Sequence, residues 1–117
     1  MEEEEFPKWL SVVLHDLKKF RECITIGLVF GSSIKNSRFN DVDVLLVYDK
    51  NRTKEINKIK DDIRKSHLIE QPIRYVDIME KDILLNKNDK IFYNIMSDSL
   101  IFHNSEKYVE VIRKCRR

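Results

Sequence analysis

Two apolar runs constrain the fold more than any other feature of the sequence: ITIGLVF at 24–30 and DVDVLLVYD at 41–49. Ile24 to Phe30 is β-branched and apolar without clear alternation, the pattern of a strand buried on both faces. Gly31 ends it, and Asp41 to Tyr48 reads as the second strand. A chain of 117 residues is enough for one modest core and too short for two domains, so both runs are expected in a single domain spanning 1–117.

Helical periods surround these strands. Phe6, Leu10, Val13, Leu14, Leu17 and Phe20 recur at helical spacing behind Pro7, which suits a first helical turn. Ser32 or Ser33 can cap a short helix reaching about Arg38. Asp49, Asn51 or Thr53 can cap the next helix, with Ile56, Ile59 and Ile63 inward. Pro72 precedes a third strand, Ile73 to Met79. Short helices are expected at Lys81 to Asn86 and Lys90 to Met96, and an edge strand at Leu100 to His103. Ser105 then caps a last helix carrying Tyr108, Ile112 and Cys115 inward. The layout predicts an α+β fold, an α/β sandwich: a mixed sheet of about four strands with helices mainly on one face.

The second strand opens with two carboxylates. Residues two apart on a strand share a face at roughly 7 Å, so Asp41 and Asp43 lie side by side. Unpaired, they would repel each other and resist burial. A divalent cation resolves this, and oxygen ligands suit Mg2+ or Mn2+. Carboxylates so spaced can share two ions about 3.5–4 Å apart. Asp77 supplies a third acid, able to act as general base, if the third strand runs beside the second. Gly31-Ser32 adds a phosphate cradle, since glycine admits close backbone approach and a helix start offers unpaired N–H groups.

Gly-Ser, a short helical segment and then Asp-x-Asp opening an apolar strand, GSSIKNSRFNDVDVLLVYD, resembles the DNA polymerase beta-like nucleotidyltransferases. The small size and the late acid in YVDIM resemble the minimal nucleotidyltransferases of bacteria and archaea, with the likeness running from about Ile24 to His103. The resemblance implies the nucleotidyltransferase fold. It also implies a reaction: transfer of NMP, with AMP from ATP the first expectation, to a hydroxyl of a protein, nucleic-acid or small-molecule acceptor. Pyrophosphate is released, with two Mg2+ ions. It implies Gly31 and Ser32 as triphosphate contacts, and Asp41 and Asp43 as ligands of both metals. Asp77 becomes a ligand of the catalytic metal and the activator of the acceptor hydroxyl. Minimal members of the family are often paired with a small all-helical HEPN toxin, and some add AMP to one of its tyrosines. An antitoxin role and a HEPN-type partner are therefore expected, and a homo-oligomer could complete the site instead. Ser33 stands where many members have Arg, and the eight residues between Ser32 and Asp41 are fewer than in the commonest pattern. Lys35 or Arg38, in the same segment, then become the expected phosphate cations.

Each feature has an ordinary structural reading as well. An Asp-x-Asp often just solvates a strand start, and Gly-Ser often makes a plain strand-to-helix turn. It is the combination that carries the chemistry. His15, His67 and His103 show no ligand spacing, and Trp9 and Tyr108 read as packing residues. The 22 Lys and Arg nearly balance the 20 Asp and Glu, so direct nucleic-acid binding is not indicated. Cys23 and Cys115 are isolated, the N-terminus is acidic, and no apolar run is long enough to span a membrane, which predicts reduced thiols in a cytoplasmic protein. Two function classes stand: the enzyme just described, and a nucleotidyltransferase-like antitoxin or regulator that acts by occupying its partner.

Overall fold

A computed structural model describes residues 7–36, 38–67, 69–85 and 99–104. The order of elements is α1 (Lys8–Leu17), β1 (Ile26–Phe30), α2 (Ser32–Lys35), β2 (Val42–Tyr48), α3 (Thr53–Ser66), β3 (Ile73–Met79), α4 (Glu80–Leu85) and β4 (Leu100–Asn104). The strands form one sheet in the order β3-β2-β1-β4. β1 is antiparallel to β2 and to β4, whereas β2 and β3 are parallel, with α3 as the crossover that a parallel pair requires. The sheet is thus mixed and the fold α+β, as the alternation of elements implies.

The two apolar runs become the central strands, and both of their faces are buried. On one face Val29, Val42, Val44, Leu46 and Tyr48 pack with Val13 and Leu17 of α1, Phe20, and Ile56 and Ile63 of α3. On the other, Ile26, Leu28, Leu45 and Val47 form a second fully buried cluster. At ~1.5–3 kcal/mol for each aliphatic side chain removed from water, this two-sided burial dominates the pairing of β1 with β2. The edge strand β3 is far more exposed, and Val76 on it is 40% accessible.

The helices follow their apolar stripes. The Pro7 carbonyl accepts from the Leu10 N–H at 3.0 Å and opens α1 from the position just before it. Leu10, Val13 and Leu17 turn inward, and a 3-10 turn (Lys18–Phe20) extends the stripe to the buried Phe20. Ahead of α3, the Asp49 carboxylate accepts from the Asn51 N–H at 3.0 Å and caps the 3-10 turn Lys50–Arg52 that leads into the helix. Trp9 of α1 packs on Phe39 with ring centroids 4.7 Å apart, fixing the segment between α2 and β2 against the first helix. Among the described residues, no helix is long and apolar enough to cross a membrane.

Two local expectations are corrected. The helix after β1 stops at Lys35 rather than near Arg38, because Asn36 is already extended at φ −125° and ψ 148°. Its capping position is held by Gly31, and neither Ser32 nor Ser33 caps it through a side chain. The expected helices at Lys90 to Met96 and after Ser105, together with Cys115 and Tyr108, lie outside the described residues.

Candidate active site

The antiparallel register of β1 and β2 sets Phe30 opposite Asp43, so the end of one strand meets the start of the other. Gly31 follows directly. Its backbone has φ +80° and ψ −156°, a region essentially confined to glycine. A Cβ at this position would run into Asp43 Oδ2 and lie 3.3 Å from Asp43 Cγ. The glycine therefore serves two needs: it turns the chain into α2, and it leaves the room that the carboxylate occupies.

Asp41 lies just ahead of β2, and the Val42 N–H after it donates to the Pro72 carbonyl at 2.9 Å, which locks the start of β2 to that of β3. Both acids are partly exposed, and the Asp43 carboxylate has no hydrogen-bond partner among the described residues. Burial pushes the Asp43 carboxyl up from its ordinary value, Arg74 opposes this, and the neighbouring Asp41 charge adds to it. Asp43 is a carboxylate only partly compensated by its surroundings.

Arg74 stands beside these acids, although no motif in the sequence marks it. The parallel register pairs it with Asp43, and its Nη1 lies 3.7 Å from Asp41 Oδ2. Nothing local in IRYVDIM sets Arg74 apart; only the register brings it to the acids.

Asp77 does not join them, and the expected cluster of three carboxylates is corrected here. β3 does run beside β2, but Asp77 is paired with Leu46, three positions beyond Asp43. An odd offset turns a side chain to the opposite face of a sheet. Asp77 accordingly sits on the α3 side, where Tyr48 Oη and Lys60 Nζ both donate to its Oδ2 at 2.5 Å. Burial and the Asp77 hydrogen bond together push the Tyr48 phenol up, so it stays a donor. This carboxylate is spoken for, as the tie between β2, β3 and α3.

The remaining candidates surround Gly31. Ser32 is exposed at the start of α2, Lys35 is exposed at its end, and Arg38 is exposed in the segment before β2. Ser33 is buried, and its hydroxyl has no hydrogen-bond partner among the described residues. Of the histidines, His67 donates from Nε2 to the Gln71 carbonyl at 2.6 Å, His15 is exposed, and His103 pairs with Gly27 away from the acids. Cys23 is a free thiol donating to Glu55 at 3.2 Å.

The donor set suits a magnesium-type ion. Two adjacent carboxylates, one of them partly buried beside a glycine whose replacement would crowd it, offer hard oxygen ligands. Among the described residues no three His, Cys, Asp or Glu side chains converge as a complete metal cage. Mg2+ commonly takes one or two carboxylates and fills its shell with water and substrate phosphates, so two acids are a sufficient protein share.

The sequence matches no family model, and it matches no curated protein.

Proposed function

We propose that this chain is a metal-dependent nucleotidyltransferase that moves NMP from an NTP, with ATP the first choice, to an acceptor hydroxyl. The observation that carries this reading is the close approach of Gly31 to the Asp43 carboxylate, with Asp41 just ahead of the same strand. The unusual glycine backbone, the paired acids and the Gly-Ser turn each have a separate ordinary explanation. Together at one corner of a sheet they offer phosphate contacts on one side and hard oxygen ligands on the other.

In this reading Asp41 and Asp43 would hold Mg2+ or Mn2+, which when bound neutralises the triphosphate and polarises the reacting phosphorus. Gly31 and Ser32 hold the triphosphate through the backbone of the turn. The acceptor oxygen forms a bond to the α-phosphorus, the bond to the β-phosphate bridging oxygen breaks, pyrophosphate leaves, and the acceptor proton passes to solvent. Asp77 has no part in these steps, being bonded to Tyr48 and Lys60 on the other face. Calorimetry with ATP, with and without Mg2+, tests the site, and label transfer from α-labelled ATP to candidate partners, a HEPN-type protein among them, tests the reaction. Equal ATP affinity in both conditions would sink the metal site.

The position of Asp77 favours one second reading. Without a third acid the same corner suits a module that binds a metal-nucleotide, or a partner protein, and acts as an antitoxin or regulator by occupancy. Metal-dependent ATP binding with no transfer to any partner would select it.

A further inference from the structure

Arg74 occupies a place that no other described cation shares. Phe30, Asp43 and Arg74 stand opposite one another across β1, β2 and β3, and Gly31 follows Phe30. With neighbouring strands about 4.8 Å apart, this row puts Gly31 and Arg74 on the two flanks of Asp43. Paired residues of a sheet face the same way, so the Arg74 side chain leaves the sheet on the Asp43 side. Its side chain is 70% exposed and its guanidinium reaches back to Asp41 at 3.7 Å, a long and solvent-screened contact that is cheap to give up.

We propose that Arg74 is the phosphate-binding cation of this site: it stands in for the metal ion by shielding Asp41 when no ion is bound, and turns to the β- and γ-phosphates when a metal-nucleoside triphosphate arrives. The inference rests on the nucleotide site described above and adds what holds the triphosphate there. Three points support it. A guanidinium is weakly hydrated and matches phosphate oxygens bidentately. Asp41 and Asp43 would hold a divalent cation, whose charge would replace the one Arg74 now supplies to Asp41 and leave the arginine available to a triphosphate. The cations expected from the sequence, Lys35 and Arg38, follow Gly31 at and after α2, so Arg74 on β3 adds charge from the other flank of Asp43.

The test compares wild type with Arg74→Gln and Arg74→Lys, with Arg52→Gln as a control at the other end of β2, where Arg52 pairs with Glu55. Mn2+ alone is titrated by electron paramagnetic resonance, and MgATP, MgADP and AMP by calorimetry. Removing a competing charge should tighten Mn2+ binding about two- to five-fold in Arg74→Gln. The same variant should bind MgATP and MgADP about ten-fold or more weakly, because a charge-assisted phosphate contact is lost, with AMP unchanged. Arg74→Lys should fall between, and Arg52→Gln should match wild type in every titration. A merely structural arginine would weaken all ligands together. If wild type binds MgATP and Arg74→Gln binds it equally well, this inference falls alone. The same holds if Lys35→Gln or Arg38→Gln loses the affinity instead. If wild type binds no MgATP, the nucleotide site falls with it.

Discussion

Asp43 and Asp77 look alike in the sequence, each an acid inside an apolar strand, in DVDVLL and in YVDIM. Their surroundings are opposite. Asp77 receives two hydrogen bonds, from Tyr48 and Lys60, and joins two strands to a helix. Asp43 lies against Gly31 with another acid beside it, and the exposed Arg74 partly balances them. An acid whose hydrogen bonds are met within the protein is explained by the fold, whereas one left under-compensated keeps its lone pairs for water or a ligand. The two ends of β2 thus divide labour: one fastens the sheet to its helix layer, and the other presents charge.

The largest expected effect of breaking this division is on chemistry. If the proposed metal site is right, Asp43→Asn should cut MgATP binding and reduce transfer by roughly 10²-fold or more, since the metal loses a carboxylate. Its melting temperature should hold or rise slightly, because a repelling charge is removed. Asp77→Asn should leave MgATP affinity within a few-fold of wild type. A reversal, with Asp77 essential and Asp43 dispensable for binding, would invert the comparison.

Next in size is Gly31→Ala. The glycine-only backbone costs of order 1–3 kcal/mol for another residue, and the new Cβ must also displace the Asp43 carboxylate. A melting temperature lower by about 4 °C or more is expected for a chain of this size, read by circular dichroism, along with weakened Mn2+ binding. A wild-type melting curve would show that the turn tolerates a side chain.

Asp77→Asn should cost about 1–3 kcal/mol, because hydrogen bonds to a charged acceptor are weakened where both partners are mostly shielded. Denaturant unfolding measures this, and Lys60→Met in the same background should add less than it does alone, as expected for two residues sharing one bond. Additive costs would mean that the tie is not shared.

The smallest effect concerns pH. The folded protein holds Asp43 protonated to higher pH than an unfolded chain does, the ordinary value being 3.8. Between that value and the raised folded one, the native state binds more protons, so stability without metal falls as pH rises through the window. Asp43→Asn should flatten this slope in urea midpoints measured across the acid range. An unchanged slope would assign it to other groups.

Much of the site was legible because it is local. The alternation of a strand alone places Asp41 and Asp43 on one side. Gly31 announces a turn at the end of an apolar run, and β3 matches the expected Ile73 to Met79 without a shift. The boundaries of β1 and α2 were less legible, since Ile24 and Thr25 are buried without being strand and the helix ends where Asn36 extends.

The sequence by itself determined the two central strands, the two-sided burial of the first and the side-by-side placing of Asp41 and Asp43, because each follows from local periodicity or from the transfer of apolar side chains out of water; the approach of Gly31 to Asp43 came from the pairing of β1 with β2. Only the tertiary structure decided which residues of β3 face the acids. IRYVDIM carries apolar side chains on both of its faces: Ile73, Tyr75 and Met79 pack on the helix-side core, and Ile78 on the other. Binary pattern therefore cannot fix the parity of the pairing, and a slip of one residue exchanges the two faces. The register is set across 30 residues by the packing of α3 and by the Val42 N–H on the Pro72 carbonyl, and it is this that sends Asp77 to Tyr48 and Lys60 and brings Arg74 to Asp41 and Asp43.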